Sequence, residues 1–340
     1  MRHLRFLLLA LGLLVPALLL AACGGDESDA DTLTVYSGRN EALVGPLLER
    51  FSQETGIELE VRYGETAEMA ATLREEGDRS PADVFFGQDA GALGAIAKAG
   101  LFAELPQATL DKVDARYRSS AGRWVGTSGR VRVIAYDKRE LDESDLPDSV
   151  LDLADERWRG KVAWAPTNGS FQAFVTALRK VEGEQVAEDW LRAMKDNDTQ
   201  VYENNILIRD AIAAGEVQVG LINHYYVMEA LQEVDDPASY PVALHFPANG
   251  DVGALINVAG VGILASSEKQ ATARRLVSFL LGAEAQRYFR TDTAEYPIAA
   301  GIQPLPRLPD LSEIEQPEID LSDIDDLQGT LELLERTGIL

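Results

Sequence analysis

The 340 residues predict an α/β protein of two lobes, and three observations carry that prediction. Apolar, strand-like runs alternate with amphipathic helical stretches, the pattern of a mostly parallel sheet covered by helices. Two runs, Gly129–Tyr136 and Leu255–Leu264, read as strands that cross from one lobe to the other and back. Behind an N-terminal export segment remain about 310 residues, enough for two packed cores. At 46% hydrophobic and 26% charged the composition is that of a globular chain.

Residues 1–22 read as a lipoprotein signal peptide. Arg2 and Arg5 form a basic start and Phe6 to Leu20 an apolar run too short to span a membrane comfortably. The run closes on Leu20-Ala21-Ala22-Cys23, small residues before a cysteine, as at a bacterial lipidation site. Cys23 is the only cysteine, which rules out a disulfide within the chain and any cysteine-cluster metal site. Residues 23–31 then read as the lipidated Cys23 and a flexible polar tether. The expected location is the cell envelope, with a lipid anchor on the outer face of the cytoplasmic membrane. A net charge of −25 excludes nucleic acid as a partner.

The elements follow in order. Leu33–Tyr36 is a short strand, Ser37–Asn40 a turn, and Glu41–Glu54 a helix with Leu43, Val44, Leu47, Leu48 and Phe51 on one face, stopped at Gly56. Ile57–Tyr63 alternates as a second strand, Glu65–Glu76 is helical, and Ala82–Phe86 is a third strand ending in Gly87-Gln88-Asp89. Gly91–Ala99 is a helix of small residues. After the crossing strand, Val150–Gly160 reads as helical and Lys161–Ala165 as a strand. Helices follow over Phe171–Val181, Glu184–Lys195 and Ile206–Ala214, then a strand over Val217–Ile222. Met228–Val234 is helical, Val242–Phe246 a strand, and Glu268–Phe289 one long amphipathic helix behind Ser266-Ser267. The acidic, proline-bearing segment 303–340 is expected to wrap the surface, with a helix near Leu327–Arg336.

Two stretches carry chemistry. The strand Val217–Ile222 turns abruptly into Asn223-His224-Tyr225-Tyr226. In open α/β sheets, ligands bind outside the carboxyl ends of strands. Two neighbouring phenols can offer two oxygens to one hard cation, although a phenol of pKa near ~10 ionises at neutral pH only beside a strong positive charge such as Fe(III). Taken alone, the pair fits ordinary packing as well. The second stretch, Pro166-Thr167-Asn168-Gly169-Ser170, places a glycine turn and a helix start at a strand end, a generic anion cradle or a plain helix cap. Hard oxygen donors favour hard cations, and His224 and His245 have no metal-binding spacing, so His224 reads as a strand-end or supporting residue. No G-x-S-x-G, H-E-x-x-H or G-x-x-x-x-G-K signature is present, and the chain is expected not to be an enzyme.

These segments resemble the ferric-ion-binding proteins of bacterial iron ABC transporters, a branch of the periplasmic-type solute-binding proteins. The resemblance runs from about Leu33 to Ile302. It rests on Leu33-Thr34-Val35-Tyr36-Ser37-Gly38, Ser80–Phe85, Ser128–Val133, Pro166–Phe171, Tyr202-Glu203-Asn204-Asn205 and Leu221–Tyr226. It implies the two-lobe, type II periplasmic-binding-protein-like fold, each lobe a mixed sheet flanked by helices and the two joined by crossing strands. The first lobe would hold residues 32–130 and 257–302, the second 131–256 and 303–340. It implies capture of Fe3+ as cargo by the tyrosinates of Tyr225 and Tyr226, together with a synergistic anion such as phosphate or carbonate. Asn168, Gly169 and Ser170 match the anion turn, and Asn205 and Asn223 match polar residues that hold the anion. Arg39 would face the anion or the solvent. Asn40 and Gln88 stand where several members place histidine and glutamate ligands, and Asp89 next to Gln88 is a possible oxygen ligand. The implied partners are an ABC permease and ATPase that receive iron from a monomeric receptor. An oxyanion, polyamine or thiamine-like solute is the alternative cargo.

Overall fold

The computed structural model describes residues 32–299 and 301–340, so the signal segment, Cys23 and the tether lie outside the described residues. Among the described residues there are ten strands: β1 (Thr32–Ser37), β2 (Glu58–Tyr63), β3 (Val84–Gly87), β4 (Val125–Asp137), β5 (Val162–Trp164), β6 (Gln200–Val201), β7 (Val219–Asn223), β8 (Val242–His245), β9 (Ile256–Ile263) and β10 (Tyr296–Pro297). The helices are α1 (Glu41–Thr55), α2 (Thr66–Glu76), α3 (Ala90–Lys98), α4 (Gln107–Leu110), α5 (Gly169–Val181), α6 (Glu184–Asp196), α7 (Asn205–Ala214), α8 (Tyr225–Glu233), α9 (Gln270–Leu280), α10 (Ala283–Thr291) and α11 (Leu327–Arg336). Among the described residues, no helix is long and apolar enough to cross a membrane.

The strands form one mixed sheet in the order β2-β1-β3-β9-β4-β7-β5-β6, with β8 and β10 also paired to β4. β1 lies parallel to β2 and β3, and β5 parallel to β6 and β7, as the strand-then-helix alternation requires. β4 and β9 run antiparallel to their neighbours. All 13 residues of β4 are buried, and its partner changes midway. Val125–Val131 pair with β9, whereas Arg132–Tyr136 pair with β7. β4 is thus the strand common to both halves of the sheet. It begins earlier than Gly129 because an irregularity between Gly126 and Ser128 lets the ladder with β9 continue.

Three further readings change. The helix expected over Glu268–Phe289 is two helices, α9 and α10, broken at Leu281-Gly282. The stretch 150–160 forms two short 3₁₀ turns, Val150–Ala154 and Glu156–Trp158, separated by Asp155. The helix expected over Met228–Val234 starts earlier, so that the tyrosines after β7 open α8, whose first residue is Tyr225. Successive side chains of a strand point to opposite faces, whereas those of a helix turn are about 100° apart, so only the helix lets adjacent phenols converge.

The C-terminal segment does more than cover surface. Residues 321–324 lie against α3 so closely that a Cβ on Gly94 would meet the Ser322 carbonyl oxygen at 2.4 Å. Lys98 closes the contact with ion pairs of 3.0 Å to both Asp323 and Asp325. α11 then packs on α5, with Thr330 Oγ1 2.7 Å from Thr176 Oγ1 and Asp326 Oδ2 3.0 Å from Arg179 Nη2. One segment therefore ties a helix of the first half to a helix of the second. We expect Gly94→Ala to cost about 1–3 kcal/mol through overpacking, read as a lower midpoint in chemical denaturation of the soluble domain.

His224 stitches the halves at the centre. Its backbone N–H donates to the Val131 carbonyl at 3.0 Å, and its Nδ1 accepts from the Val131 N–H at 3.1 Å. Nδ1 therefore carries no proton, and Nε2–H donates to the Ala294 carbonyl at 3.2 Å, just before β10. Complete burial pushes the ring down to about 4 against a weak opposing pull from Glu295. A histidine held neutral stabilises the fold fully above its unfolded pKa of about 6.5 and loses that contribution as pH falls toward the folded value. The domain should lose on the order of 3 kcal/mol between about pH 6.5 and 4 from this group. Denaturation midpoints across that window should fall less steeply in His224→Asn than in the wild type.

Candidate functional site

The site forms where β4 changes partner. Residues two apart on a strand share a face, so Arg130 and Arg132 point the same way from the middle of β4. Both are buried, at 3% and 2% exposure, and Arg39, from the turn after β1, is buried at 1%. Against these guanidiniums stands one buried carboxylate, Glu295, in the link from α10 to β10. Arg39 grips it with both terminal nitrogens, at 2.9 and 2.7 Å. Ser128 Oγ and Thr293 Oγ1 each donate to it at 3.0 Å, and Arg130 Nη1 lies 4.0 Å away. Burial alone would raise the Glu295 pKa, but Arg39, Arg130 and the Thr293 hydroxyl together outweigh it and lower the pKa below its ordinary value. Burial lowers Arg130 and pulls Arg132 down to about 9, still charged at neutral pH.

The tyrosine pair faces this charge. The rings of Tyr225 and Tyr226 lie 4.2 Å apart, tilted by 33°. Tyr225 is within electrostatic reach of Arg39, Arg130 and Arg132, and Tyr226 within reach of Arg132. Burial pushes the Tyr225 phenol well above 10 and Tyr226 adds to the rise, while Arg130 pulls the other way. Tyr225 is thus a neutral phenol until a positive charge stronger than a guanidinium arrives. His224 is committed through both ring nitrogens and has no lone pair to give a metal.

The turn at Asn168, Gly169 and Ser170 meets the second-half residues as a network. Asn168 caps α5, its Oδ1 accepting from Ser170 N at 3.0 Å and Ser170 Oγ at 2.6 Å. Asn205 Nδ2 donates to Asn168 Oδ1 and Ser170 Oγ, each at 3.2 Å. That contact fixes the amide orientation and leaves Asn205 Oδ1 buried without a partner. Arg132 reaches Ser170 Oγ at 3.5 Å and the Leu221 carbonyl at 2.6 Å, over the faces of Phe171 and Phe174. Unlike the Asn205 acceptor, Arg132 Nε, Arg130 Nη1, Arg39 Nε and Asn223 Nδ2 are buried donors without partners. Gly169 is exposed at the first turn, with nothing within 4 Å of where a Cβ would stand. Unpaired buried donors beside a helix start suit an anion.

The first-half residues are placed differently. Asn40 is exposed and spends its side-chain oxygen capping α1, accepting from Ala42 N at 2.8 Å. Asp89 caps α3 through Ala92 N at 2.9 Å. Gln88 accepts from Arg39 Nη1 at 2.8 Å, and its backbone carbonyl accepts from Arg130. Among the described residues, no group of three or more His, Cys, Asp and Glu side chains could hold a metal. Sequence reasoning passed over Arg130, Arg132 and Glu295 as site residues. The signal for the arginines was two charges alternating within an otherwise apolar strand; Glu295 is a lone acid before Tyr296-Pro297 and carried none.

Comparison with known proteins places this geometry. The model of the bacterial extracellular solute-binding protein family matches residues 79–315. The chain is 34% identical to the Fe(3+)-binding periplasmic protein of Serratia marcescens over 329 residues, covering 96% of both chains. It is 32% identical to the major ferric iron-binding protein of Neisseria meningitidis over 325 residues, 95% of this chain and 98% of the relative. Iron-bound HitA from Pseudomonas aeruginosa superposes with a TM-score of 0.82 at 36% identity, over 90% of this chain and 99% of that one. Trichodesmium IdiA (FutA), in complex with iron and citrate ligands, superposes at 0.78 with 28% identity, over 90% and 99%. In sequence and in fold, the chain belongs to the bacterial extracellular solute-binding proteins, on the branch that includes the ferric-iron-binding proteins of bacterial ABC importers.

Proposed function

We propose that this protein is the receptor of an ABC importer and captures ferric iron between two lobes. The observation that carries the reading is the pair of converging phenols, 4.2 Å apart, set against buried cationic and amide donors. Tyr225 and Tyr226 bind Fe(III) as tyrosinates, the metal's charge displacing their protons. The remaining positions go to an exogenous anion such as phosphate or carbonate, held by Asn168, Gly169, Ser170, Asn205 and Asn223 with Arg132. Asn40, Gln88 and Asp89, occupied as caps or as the acceptor for Arg39, shape the opposite wall. The lobes are residues 32–130 with 257–302, and 131–256 with 303–340, and they close by rotation about the crossing strands. After removal of residues 1–22, lipid on Cys23 tethers the receptor outside the cytoplasmic membrane, where it hands iron to its permease and ATPase.

The test is a visible spectrum of the domain from residue 24 onward, titrated with ferric citrate. A tyrosinate-to-iron charge-transfer band should grow to saturation near one iron per chain. Tyr225→Phe and Tyr226→Phe should each abolish or strongly shift the band and lower iron affinity by at least about a hundredfold, since even supporting residues are worth 10–100-fold. A colourless protein whose melting point responds instead to an organic or oxyanionic solute would discard the iron cargo and keep the fold.

A further inference from the structure

Asn40, Gln88 and Asp89 on the first-half wall of the site are each already engaged in another contact. Asn40 and Asp89 are helix caps, and Gln88 is held by Arg39. What that wall presents is a cluster of charge: Arg39 and Arg130, with Arg132 beside them on β4, against the buried carboxylate of Glu295 and the half-buried one of Asp89, which is within electrostatic reach of Arg130. Among the described residues, the other buried carboxylates, Asp83 and Asp137, serve different contacts: Asp83 with Thr34 N and Ser267 Oγ, and Asp137 with Arg139. Glu295 is therefore the buried carboxylate that stands between this site and a larger excess of positive charge.

Stability is a weak explanation for such a pair, because buried ion pairs are often replaceable by apolar groups without loss. Position is a better one. Glu295 holds Arg39 through two hydrogen bonds, and Arg39 holds Gln88. Both Glu295 and Arg130 act electrostatically on Tyr225, in opposite senses. Resting on the ferric reading above, we propose that Glu295 and Arg39 are positioning residues that set, by charge, how strongly iron binding depends on the co-bound anion. The reasoning is a charge count. Three guanidiniums against the carboxylates of Glu295 and Asp89 leave an excess of one positive charge, and Fe(III) with two tyrosinates adds one more. A site this positive disfavours iron until an anion enters, and low local dielectric magnifies each unit of charge. Removing Glu295 raises the excess, and removing Arg39 lowers it.

The experiment measures iron affinity from the charge-transfer band, against a fixed competing chelator, without and with saturating inorganic phosphate. The ratio of the two affinities is the phosphate enhancement. Glu295→Gln should raise that ratio about tenfold over the wild type and Arg39→Gln should lower it about tenfold, an unremarkable size for one unit of buried charge. Glu295→Asp, which keeps the charge, should stay near the wild type, as should the double variant Arg39→Gln with Glu295→Gln. The band position should hold in all of them, because the ligating oxygens are unchanged. A merely structural pair would lower the melting temperature of both single variants and move the ratio in neither, or move both the same way; either result overturns the proposal. Should Arg39→Gln fail to fold, Glu295→Gln against Glu295→Asp decides alone. A wild type with no band at any phosphate level overturns the ferric reading itself, and this inference with it. A normal wild-type band with an unmoved ratio in the variants overturns only the inference.

Discussion

A guanidinium cannot shed its proton to escape burial, so each one inside a protein must meet charge or acceptors there. Arg130 and Arg132 sit on the strand shared by both halves of the sheet, and the rest of the site is arranged around meeting them. Glu295 is delivered to the first-half side by the link from α10 to β10, while carbonyls, Ser170 and two phenylalanine rings receive Arg132 on the other. The compensation is incomplete on both sides, with Nη1 of Arg130 and Nε of Arg132 left unpaired. A fold that leaves donors buried and unsatisfied retains affinity for something negative, and that residue of charge is the chemical character of the site.

The tyrosine pair depends on the same junction. β7 ends at Asn223 because His224 leaves the ladder to bridge Val131 and Ala294, and the chain enters α8 immediately afterwards. That change from strand to helix makes two sequential phenols neighbours in space. The histidine keeps the halves of the sheet in register, and the tyrosines profit from the geometry. Behind the site, the C-terminal segment binds α3 at one end and α5 at the other. The start of α3 adjoins Gln88 and Asp89, and the start of α5 carries Asn168, Gly169 and Ser170. The two walls are therefore linked both through β4 and through this outer strap.

Much of the architecture was legible because local pattern and tertiary role agree. Periodicity located α1, α5, α6 and α7 within a few residues, and β3, β4, β7 and β9 appear where apolar runs predicted them. The elements that escaped are ones that no local pattern specifies. β6 and β10 are two residues each and exist through their neighbours' edges, and the 150–160 stretch has turn chemistry rather than helical period. The break between α9 and α10 was hidden because an apolar period continues through Leu280-Leu281 into the next helix.

For the site, the chain's own order determined that Asn223, Tyr225 and Tyr226 stand together at a strand end, and that Asn168, Gly169 and Ser170 open a helix. Each group is contiguous, so local geometry suffices to assemble it. Composition alone ruled out a disulfide within the chain and a cysteine-cluster metal site, with Cys23 the single cysteine. What only the tertiary structure decided is which polar side chains are free and which are spent. Asn40, Asp89 and Gln88 look alike in sequence to the residues that face the site, but helix ends and Arg39 claim them first. The meeting of Arg39 with Glu295, 256 positions apart, follows from no local rule. Partners so far apart are set by strand order across the whole sheet, and charge balance is a sum over all of them.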